Sequence, residues 1–534
     1  MNTENIELLN KQLNELNREE IVVVCQTLME QLKESNLKMD NLIEQIRLSQ
    51  HHRFGSSSEK SKILECCEQI SLFFNETEEL AKLEATEPDF EEVVPKPYRR
   101  KKQKGKRETD LSDFPVVVVE HKLSDEELFC KKCNDILHEI KTETYKLLKF
   151  VPSHFEVEEH VVSVYSCRGC EDVVRAPRPQ TLLRGSIATP SLVGAIMNAK
   201  YVNALPLYRQ EQEFQRYGAN LSRQTMANWM IRCSEEYLSI IYSKMKDSLL
   251  SCSVIQSDET RVQVLKEENR KATTDSWMWV YRTGEHSGAA PVILFEYQTT
   301  RGWYHPKEFL SGYNGFLSCD GYSAYHGLPP DIVVSGCWAH GRRKFDDCLK
   351  GLDAKSQKGT TAGEAIKRIG LLYKIEELLA DKTVEERYNE RLKQSKPIVD
   401  AFFEWAEKVS LGVPGNSLLS KAFTYIKNQK EYLKTFLADG RLSIDNNATE
   451  RCIRPFTIGR GNWLFCDTSN GAEASATIYS IVETAKANKI KPYDYLVHLL
   501  EEIPKHYLGS SFEFLDNLLP WSANIQSICK SQKK

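Results

Sequence analysis

CSVIQSDETRVQVL (252–265) opens the part of the chain whose pattern decides the fold. It contains two short runs rich in Val, Ile and Leu, and similar runs follow closely, which predicts a series of β-strands. Helix is predicted from Pro306 and again from Trp338, so strand and helix alternate after the first strands. The predicted strands are VIQSD, RVQVL, WMWVY, PVILFEY, GFLSCD (315–320) and DIVVSGC (331–337). This order predicts a ribonuclease H-like α/β layer with a mixed sheet.

Two carboxylates fall where predicted strands stop. Asp258 ends VIQSD and Asp320 ends GFLSCD. Ligands of open α/β sheets bind outside the carboxyl ends of the strands, so both side chains are expected at one edge. Glu450, in IDNNATERCIRP (444–455), is predicted near the start of a later helix. Three converging carboxylates can hold two divalent cations, Mg²⁺ or Mn²⁺, for in-line phosphoryl transfer.

Spacing alone leaves the choice of acids open. A single Asp after a strand is ordinarily a cap or turn residue. Several neighbouring acids compete for the same role: Glu259, Asp331, Asp346, Asp347 and Asp445.

Cys337 and His340 form a second group near the same predicted edge. Cys337 ends a predicted strand, and His340 lies one turn into the next helix. His340 could orient a phosphate or support an acid, whereas the alternative is a buried structural pair. These two residues are too few for a zinc site by themselves. Arg342 and Arg343, which follow directly, suit contacts to DNA phosphates.

Two Cys-x-x-Cys pairs, Cys130 with Cys133 and Cys167 with Cys170, predict a metal site. Four thiolates complete a closed tetrahedral arrangement, which is typical of one structural Zn²⁺. Residues 134–166 leave room for a hairpin between the pairs, as in a zinc ribbon. The β-rich residues 115–180 are therefore predicted to form a zinc-ribbon-like module, with unmetallated cysteines as the alternative.

The N-terminal region, residues 1–60, is predicted to be helical. Its leucines and other apolar residues recur mostly at spacings of three, four or seven, with polar residues between them. Neither Gly nor Pro interrupts residues 1–54. The pattern favours a coiled coil that pairs two subunits, and a helix packed on its own chain is the alternative.

A charged linker is predicted at residues 61–114. Its acidic stretch is followed by KPYRRKKQKGKR (96–107), with eight Lys or Arg residues. Like charges repel and keep such blocks extended. The interpretation is a basic arm on DNA phosphates, and a solvated linker is the alternative. The predicted phosphate contacts of this arm are Arg99, Arg100, Lys101 and Lys102.

Residues 181–250 are predicted to be helical. Ser222 suits the N-cap of a helix that begins with Arg223, a predicted DNA contact. A short helix, a turn and this helix are compatible with a helix-turn-helix, although a plain helical bundle fits equally well. The catalytic core is predicted at 251–489 with a charged helical insertion at about 351–440, followed by a C-terminal tail region at 490–534. The fold class is thus a multidomain α+β protein.

Composition limits the classes of protein. The chain has 534 residues, of which 41% are hydrophobic and 27% are charged, and it has a net charge of −4. Several domains are expected at this length. The apolar runs are shorter than the roughly 18 to 20 residues that span a bilayer, and the polar start does not resemble a secretory signal. We therefore expect a cytoplasmic protein without a membrane partner.

Several motifs occur in an order that resembles the insertion-sequence-66 family of transposases. Upstream, the family's N-terminal and zinc-finger-like regions resemble HHRFGSSSEKS (51–61) and the paired cysteines. The other carrying motifs are SDETRVQVL (257–265), CDGYSAY (319–325), CWAHGRRKF (337–345), NNATERCIRPFTIGRGNWLF (446–465) and YSIVETAKAN (479–488).

The resemblance implies a function and a set of residues. The family's catalytic Asp–Asp–Glu site falls on Asp258, Asp320 and Glu450, and Arg451 and Arg454 are predicted DNA contacts. It implies cleavage at the terminal inverted repeats of an insertion sequence, followed by attack of the freed 3′ hydroxyl on target DNA. A homodimer or higher oligomer and accessory proteins encoded by the element are implied partners. The alternatives are a DNA-binding module without catalysis and a nuclease that cuts but does not join.

Overall fold

A computed structural model describes residues 154–166, 173–176, 181–350, 359–506 and 512–530, with a few single positions besides. The chain forms two compact units. One unit is Cys67–His160, where the described residues 154–160 are exposed and without regular secondary structure. The other unit consists of Met1–Cys66 and Val161–Lys534.

Several sequence predictions lie outside the described residues. They concern the N-terminal coiled coil, the basic arm with Arg99, Arg100, Lys101 and Lys102, and the four paired cysteines. Near the second pair, β1 (Val164–Ser166) and β2 (Val173–Arg175) form an antiparallel hairpin. Cys167 and Cys170 fall between these strands in the sequence, outside the described residues.

Helices precede the main sheet, as predicted for residues 181–250. Ser222 caps the third helix as expected, since its side chain accepts a hydrogen bond from the Thr225 N–H at 3.1 Å. A π-helical turn, Ser234–Leu238, joins the third and fourth helices. The use of these helices as a helix-turn-helix on DNA stays a prediction. Their bounds are α1 Pro190–Tyr201, α2 Leu207–Arg216, α3 Arg223–Cys233 and α4 Ser239–Leu250.

The main sheet is mixed, with the strand order β5-β4-β3-β6-β7 and a short β8 beside β3. The first three strands are antiparallel to one another, whereas β6, β7 and β8 run parallel to their neighbours. A short helix, α5 (Tyr304–Phe309), follows β5, and a 3₁₀ turn, Ser323–Gly327, follows β6. The strands are β3 Val254–Lys266, β4 Asp275–Thr283, β5 Ile293–Gln298, β6 Gly315–Ser318, β7 Ile332–Ser335 and β8 Cys466–Thr468.

One strand prediction was wrong in its extent. VIQSD and RVQVL are not separate strands, because β3 continues through both for 13 residues. Its antiparallel partner β4 supplies hydrogen bonds as far as the pair Gln263–Asp275. The polar residues in the middle of β3 therefore lie within a paired strand and not in a turn.

Helices fill the stretch between β7 and the segment that carries Glu450. They pack on α6 (Trp338–Leu349) around a second hydrophobic core with Trp338, Phe345, Phe402 and Phe423. Trp338 links α6 to the helix Lys430–Lys434, since its buried Nε1–H donates to the Leu433 carbonyl at 2.8 Å. The further helices are α7 Thr361–Leu378, α8 Val384–Glu390, α9 Lys396–Ser410, α10 Leu418–Asn428 and α11 Lys430–Lys434.

The C-terminal helices return to the sheet. On α13, the Ser480 and Thr484 hydroxyls accept hydrogen bonds from the backbone of β5 at 2.7 and 3.0 Å. Within the described part of the chain, no helix is both long and apolar enough for a membrane span. The C-terminal helices are α12 Asn447–Trp463, α13 Ser469–Ala487, α14 Pro492–His506 and α15 Ala523–Ile528.

Candidate functional site

The register of two parallel strands places Asp258 level with Asp320. The last residue pair between β3 and β6 is Gln256–Ser318, and each acid lies two residues further along its own chain segment. Ligand atoms of Asp258, Glu259 and Asp320 all lie within 4.8 Å of one another. We call these three residues the acidic cluster.

The position of Asp258 corrects the expectation that it ends a strand. Asp258 lies inside β3, paired with Val280 of β4. The edge exists because the parallel neighbour β6 stops at Ser318, while β3 continues. A half-buried carboxylate can therefore emerge from the middle of β3 toward the Asp320 loop.

The cluster concentrates negative charge. Burial raises the pKa of Asp258 well above its usual value, and the charges of Glu259 and Asp320 raise it further. The Glu259 N–H opposes this effect weakly by donating to Asp258 Oδ1 at 2.8 Å. Like-charged carboxylates at this separation repel one another, and a divalent cation would relieve that repulsion. The oxygen donors fit Mg²⁺ or Mn²⁺.

Glu259 belongs to a buried network that the sequence did not indicate. Arg301 binds its Oε1 at 2.7 Å, and the Tyr325 hydroxyl donates to its Oε2 at 2.6 Å. Burial followed by the charge of Asp320 raises the pKa of Glu259, whereas Arg301 lowers it. In the sequence, Glu259 was only one of several acids that competed for a role at this edge.

Glu450 lies in the first turn of α12, as predicted. The Arg343 guanidinium lies 3.2 Å from both of its carboxylate oxygens, and His340 Nε2 lies 3.7 Å from Oε1. The charge of Glu450 contributes to the raised pKa of Asp258. The charge of Glu450 thus acts on Asp258, although Glu450 is not among the three acids within 4.8 Å of one another.

Asn446 connects the segments that carry these acids. Its side-chain Nδ2–H donates to the Ser257 carbonyl at 2.8 Å, and its Oδ1 accepts from the Thr449 hydroxyl at 2.7 Å. Its backbone N–H donates to Cys337 Sγ at 3.2 Å. The residue is fully buried. One residue thus holds together β3 beside Asp258, the start of α6 and the first turn of α12.

Cys337 and His340 have different roles in the structure. Cys337 is buried at the N-cap of α6, and burial raises the pKa of its thiol to about 12. The thiol is therefore protonated and serves as a structural hydrogen-bond acceptor for Asn446. Burial lowers the pKa of His340, whereas the negative charge of the nearby Asp320 raises it by less. The imidazole beside Glu450 is therefore neutral.

The arginines predicted to contact DNA are dispersed. Arg343 binds the Glu450 carboxylate. Arg342 is exposed, and its guanidinium lies 5.9 Å from the centre of the Tyr373 ring. Arg451 pairs with Glu285 at 2.8 Å on the surface. The remaining two, Arg223 and Arg454, are exposed on α3 and α12.

The crowded cluster predicts that Asp258→Asn stabilises the metal-free protein. An acid whose pKa is raised by folding contributes stability at low pH and loses it as pH rises above its unfolded value. In EDTA at pH 8, the substitution should raise the free energy of unfolding by on the order of 1 kcal/mol. Thermal melts at pH 8 and at low pH measure this, and the gain should vanish at low pH.

The exposed Asp331→Asn is the matched control for this experiment, because Asp331 lies on the β6–β7 connection away from the cluster. Its melting temperature should not change. A lower melting temperature for Asp258→Asn at pH 8 would contradict the repulsion argument.

Four family models match successive parts of this chain. A family model described as Transposase IS66 family matches residues 185–474. The IS66 C-terminal element matches residues 480–521, and the model described as Transposase C of IS166 homeodomain matches 41–119. The zinc-finger binding domain of transposase IS66 matches 127–171, which includes all four paired cysteines.

Two curated relatives come from Sinorhizobium fredii (strain NBRC 101917 / NGR234). The uncharacterised protein y4qI is 30% identical over 509 residues, which cover 93% of this chain and 91% of y4qI. The uncharacterised protein y4jD is 30% identical over 408 residues, or 74% of this chain and 78% of y4jD.

The mixed α/β fold, its acidic cluster and these matches define a nucleic-acid-processing enzyme. The chain belongs to the IS66 family of transposases. Its zinc-finger and leucine-zipper-like regions support DNA as a partner and a zinc ion in the module before the core.

Proposed function

We propose that this transposase cleaves the ends of an insertion sequence and transfers the strands by an Asp–Asp–Glu mechanism. The observation that carries the proposal is the acidic cluster at the end of β6, faced by Glu450 from α12. Carboxylates crowded together at the edge of a sheet suit divalent metal ions that act on phosphodiesters.

The strand order supports a ribonuclease H-like core. Three antiparallel strands, β5, β4 and β3, continue into the parallel strands β6 and β7. The acids lie at the central strand β3 and just after β6, and α12 returns beside them after the helical insertion. This placement agrees with the arrangement that the resemblance implied.

Each residue has a proposed role. Asp258 and Asp320 would hold two Mg²⁺ or Mn²⁺ ions, and Glu450 would complete the site. When bound, such ions activate the attacking oxygen and stabilise the leaving oxygen in an in-line displacement. Arg343 holds the Glu450 carboxylate beside the cluster, and the neutral His340 can donate to or accept from a group at that carboxylate.

The regions before the core would recognise and pair DNA ends. We propose Cys130, Cys133, Cys167 and Cys170 as ligands of one structural Zn²⁺, supported by the zinc-finger match that spans them. The basic arm and the helices of residues 181–250 would contact DNA phosphates at the terminal inverted repeats and at the target. An N-terminal coiled coil would pair two subunits, and accessory proteins of the element would assist them at the bacterial nucleoid.

Strand transfer with pre-nicked end DNA tests the function. With Mg²⁺ or Mn²⁺, the wild-type protein should join the free 3′ hydroxyl to target DNA. Asp258→Asn and Asp320→Asn should each lower joining by roughly 10³-fold or more, because each removes a ligand worth several kcal/mol in the transition state. Binding of end DNA should persist in both variants.

Asp346→Asn is the matched control, because Asp346 is an exposed acid on α6 outside the cluster. It should join DNA at the wild-type rate. Full joining by either cluster variant would remove that residue from the proposed site, and cutting without joining by the wild type would favour a nuclease.

A further inference from the structure

A pocket opens beside the acidic cluster. Its volume is about 480 Å³, and much of it is open to solvent. The residues that form its walls come from the segment after β5 and from the 3₁₀ turn after β6. They include Arg301, Trp303, Tyr322, Ser323, Ala324 and Gly327.

The walls of this pocket are bonded directly to the cluster. The Tyr322 N–H donates to Asp320 Oδ1 at 2.9 Å, and the Tyr322 hydroxyl donates to the Arg301 carbonyl at 2.6 Å. The Arg301 guanidinium lies 3.6 Å from the centre of the Tyr322 ring while it binds Glu259. Residues that line the pocket are therefore in direct contact with Asp320 and Glu259.

The outer wall is an exposed aromatic surface. Trp303 is 52% exposed, and the neighbouring Tyr304 is 48% exposed. Lys307 Nζ lies 5.3 Å from the centre of the Trp303 ring. Because flat aromatic rings beside cationic side chains stack nucleobases and attract their phosphates, this wall has the chemistry of a single-stranded DNA contact.

We propose that the pocket receives one unpaired nucleotide of the DNA end, with its base stacked on Trp303. This inference rests on the proposed function, since it names how the same site holds its DNA. Enzymes that do chemistry on a base take it out of the stack at a cost of a few kcal/mol, and stacking on an aromatic ring offsets such a cost. A base on Trp303 would hold the neighbouring phosphodiester beside Asp258 and Asp320.

The test measures binding of end DNA by fluorescence anisotropy without divalent metal, so that no DNA is cut. Trp303→Ala should weaken binding roughly tenfold, the amount expected for one lost base–aromatic stack. Trp303→Phe keeps an aromatic ring and should bind nearly as the wild type does. Tyr388→Ala is the matched control, since Tyr388 is an aromatic residue on α8 with a similarly exposed ring, 38%.

A scan with one abasic nucleotide at each terminal position locates the unpaired base. At that position the wild type and Trp303→Ala should bind equally, because there is no base to stack. Equal binding of intact DNA by Trp303→Ala and wild type would overturn the proposal. So would weaker binding by Trp303→Ala than by wild type at every abasic position. Because binding is the readout, this result is separate from failure of the wild type to join DNA, which would overturn the proposed function instead.

Discussion

Glu450→Gln is expected to abolish strand transfer, with joining of pre-nicked ends at least roughly 10³-fold below wild type. Gln keeps the size and one carbonyl oxygen of the side chain but removes the charge that faces Asp258. Joining with Mg²⁺ and with Mn²⁺ measures the effect, and binding of end DNA should be unchanged.

Glu259→Gln is the decisive comparison, because Glu259 and not Glu450 lies within 4.8 Å of both Asp258 and Asp320. Both oxygens of Glu259 are already engaged, by Arg301 and by Tyr325. We therefore expect Glu259 to anchor Arg301, and the Gln variant to join DNA within about tenfold of wild type, since its amide oxygen still accepts a hydrogen bond. If Glu259→Gln lost joining while Glu450→Gln kept it, the third acid of the site would be Glu259.

Asn446→Ala is expected to have the second large effect. It removes the hydrogen bonds from Asn446 to the Ser257 carbonyl and from the Thr449 hydroxyl, in a fully buried position. Each buried polar group that is left without a hydrogen-bond partner lowers the free energy of unfolding by about 1–3 kcal/mol. We expect a loss of that order for Asn446→Ala. Denaturant titration measures this loss.

Catalysis should suffer beyond this loss of stability. Without the Asn446 bridge, the first turn of α12 is no longer tied to β3, so Glu450 is free to move away from Asp258. Joining should fall at least roughly tenfold at a temperature where the variant is still folded, because small misplacements of catalytic groups are costly. Asn447→Ala is the control, since among the described residues the Asn447 side chain bonds only Asp445, two positions earlier, at 2.7 Å.

Asn446→Asp separates the two hydrogen bonds. The aspartate can still accept from Thr449, but it presents an oxygen to the Ser257 carbonyl where the amide donated. It should therefore lose joining as Asn446→Ala does. Wild-type joining by Asn446→Asp would contradict a role for the bond to Ser257.

Much of the fold was predictable because its signals are local. Short apolar runs indicated β4 and β5, and the helix at Trp338 began where predicted. Ser222 was recognised as a cap because its hydroxyl bonds to a backbone N–H three residues away. The extent of β3 was not predictable, since its polar middle is held in strand form by β4, a partner elsewhere in the sequence.

The sequence by itself determined that Asp258 and Asp320 each accompany a strand and that Glu450 lies near the start of a helix. These properties depend on residues within a few positions. Only the tertiary structure decided which groups meet: Arg301 with Glu259, Arg343 with Glu450, and Asn446 with Ser257. The physical reason is that these contacts join residues 42, 107 and 189 positions apart, and packing of the sheet, α6 and α12 brings them together.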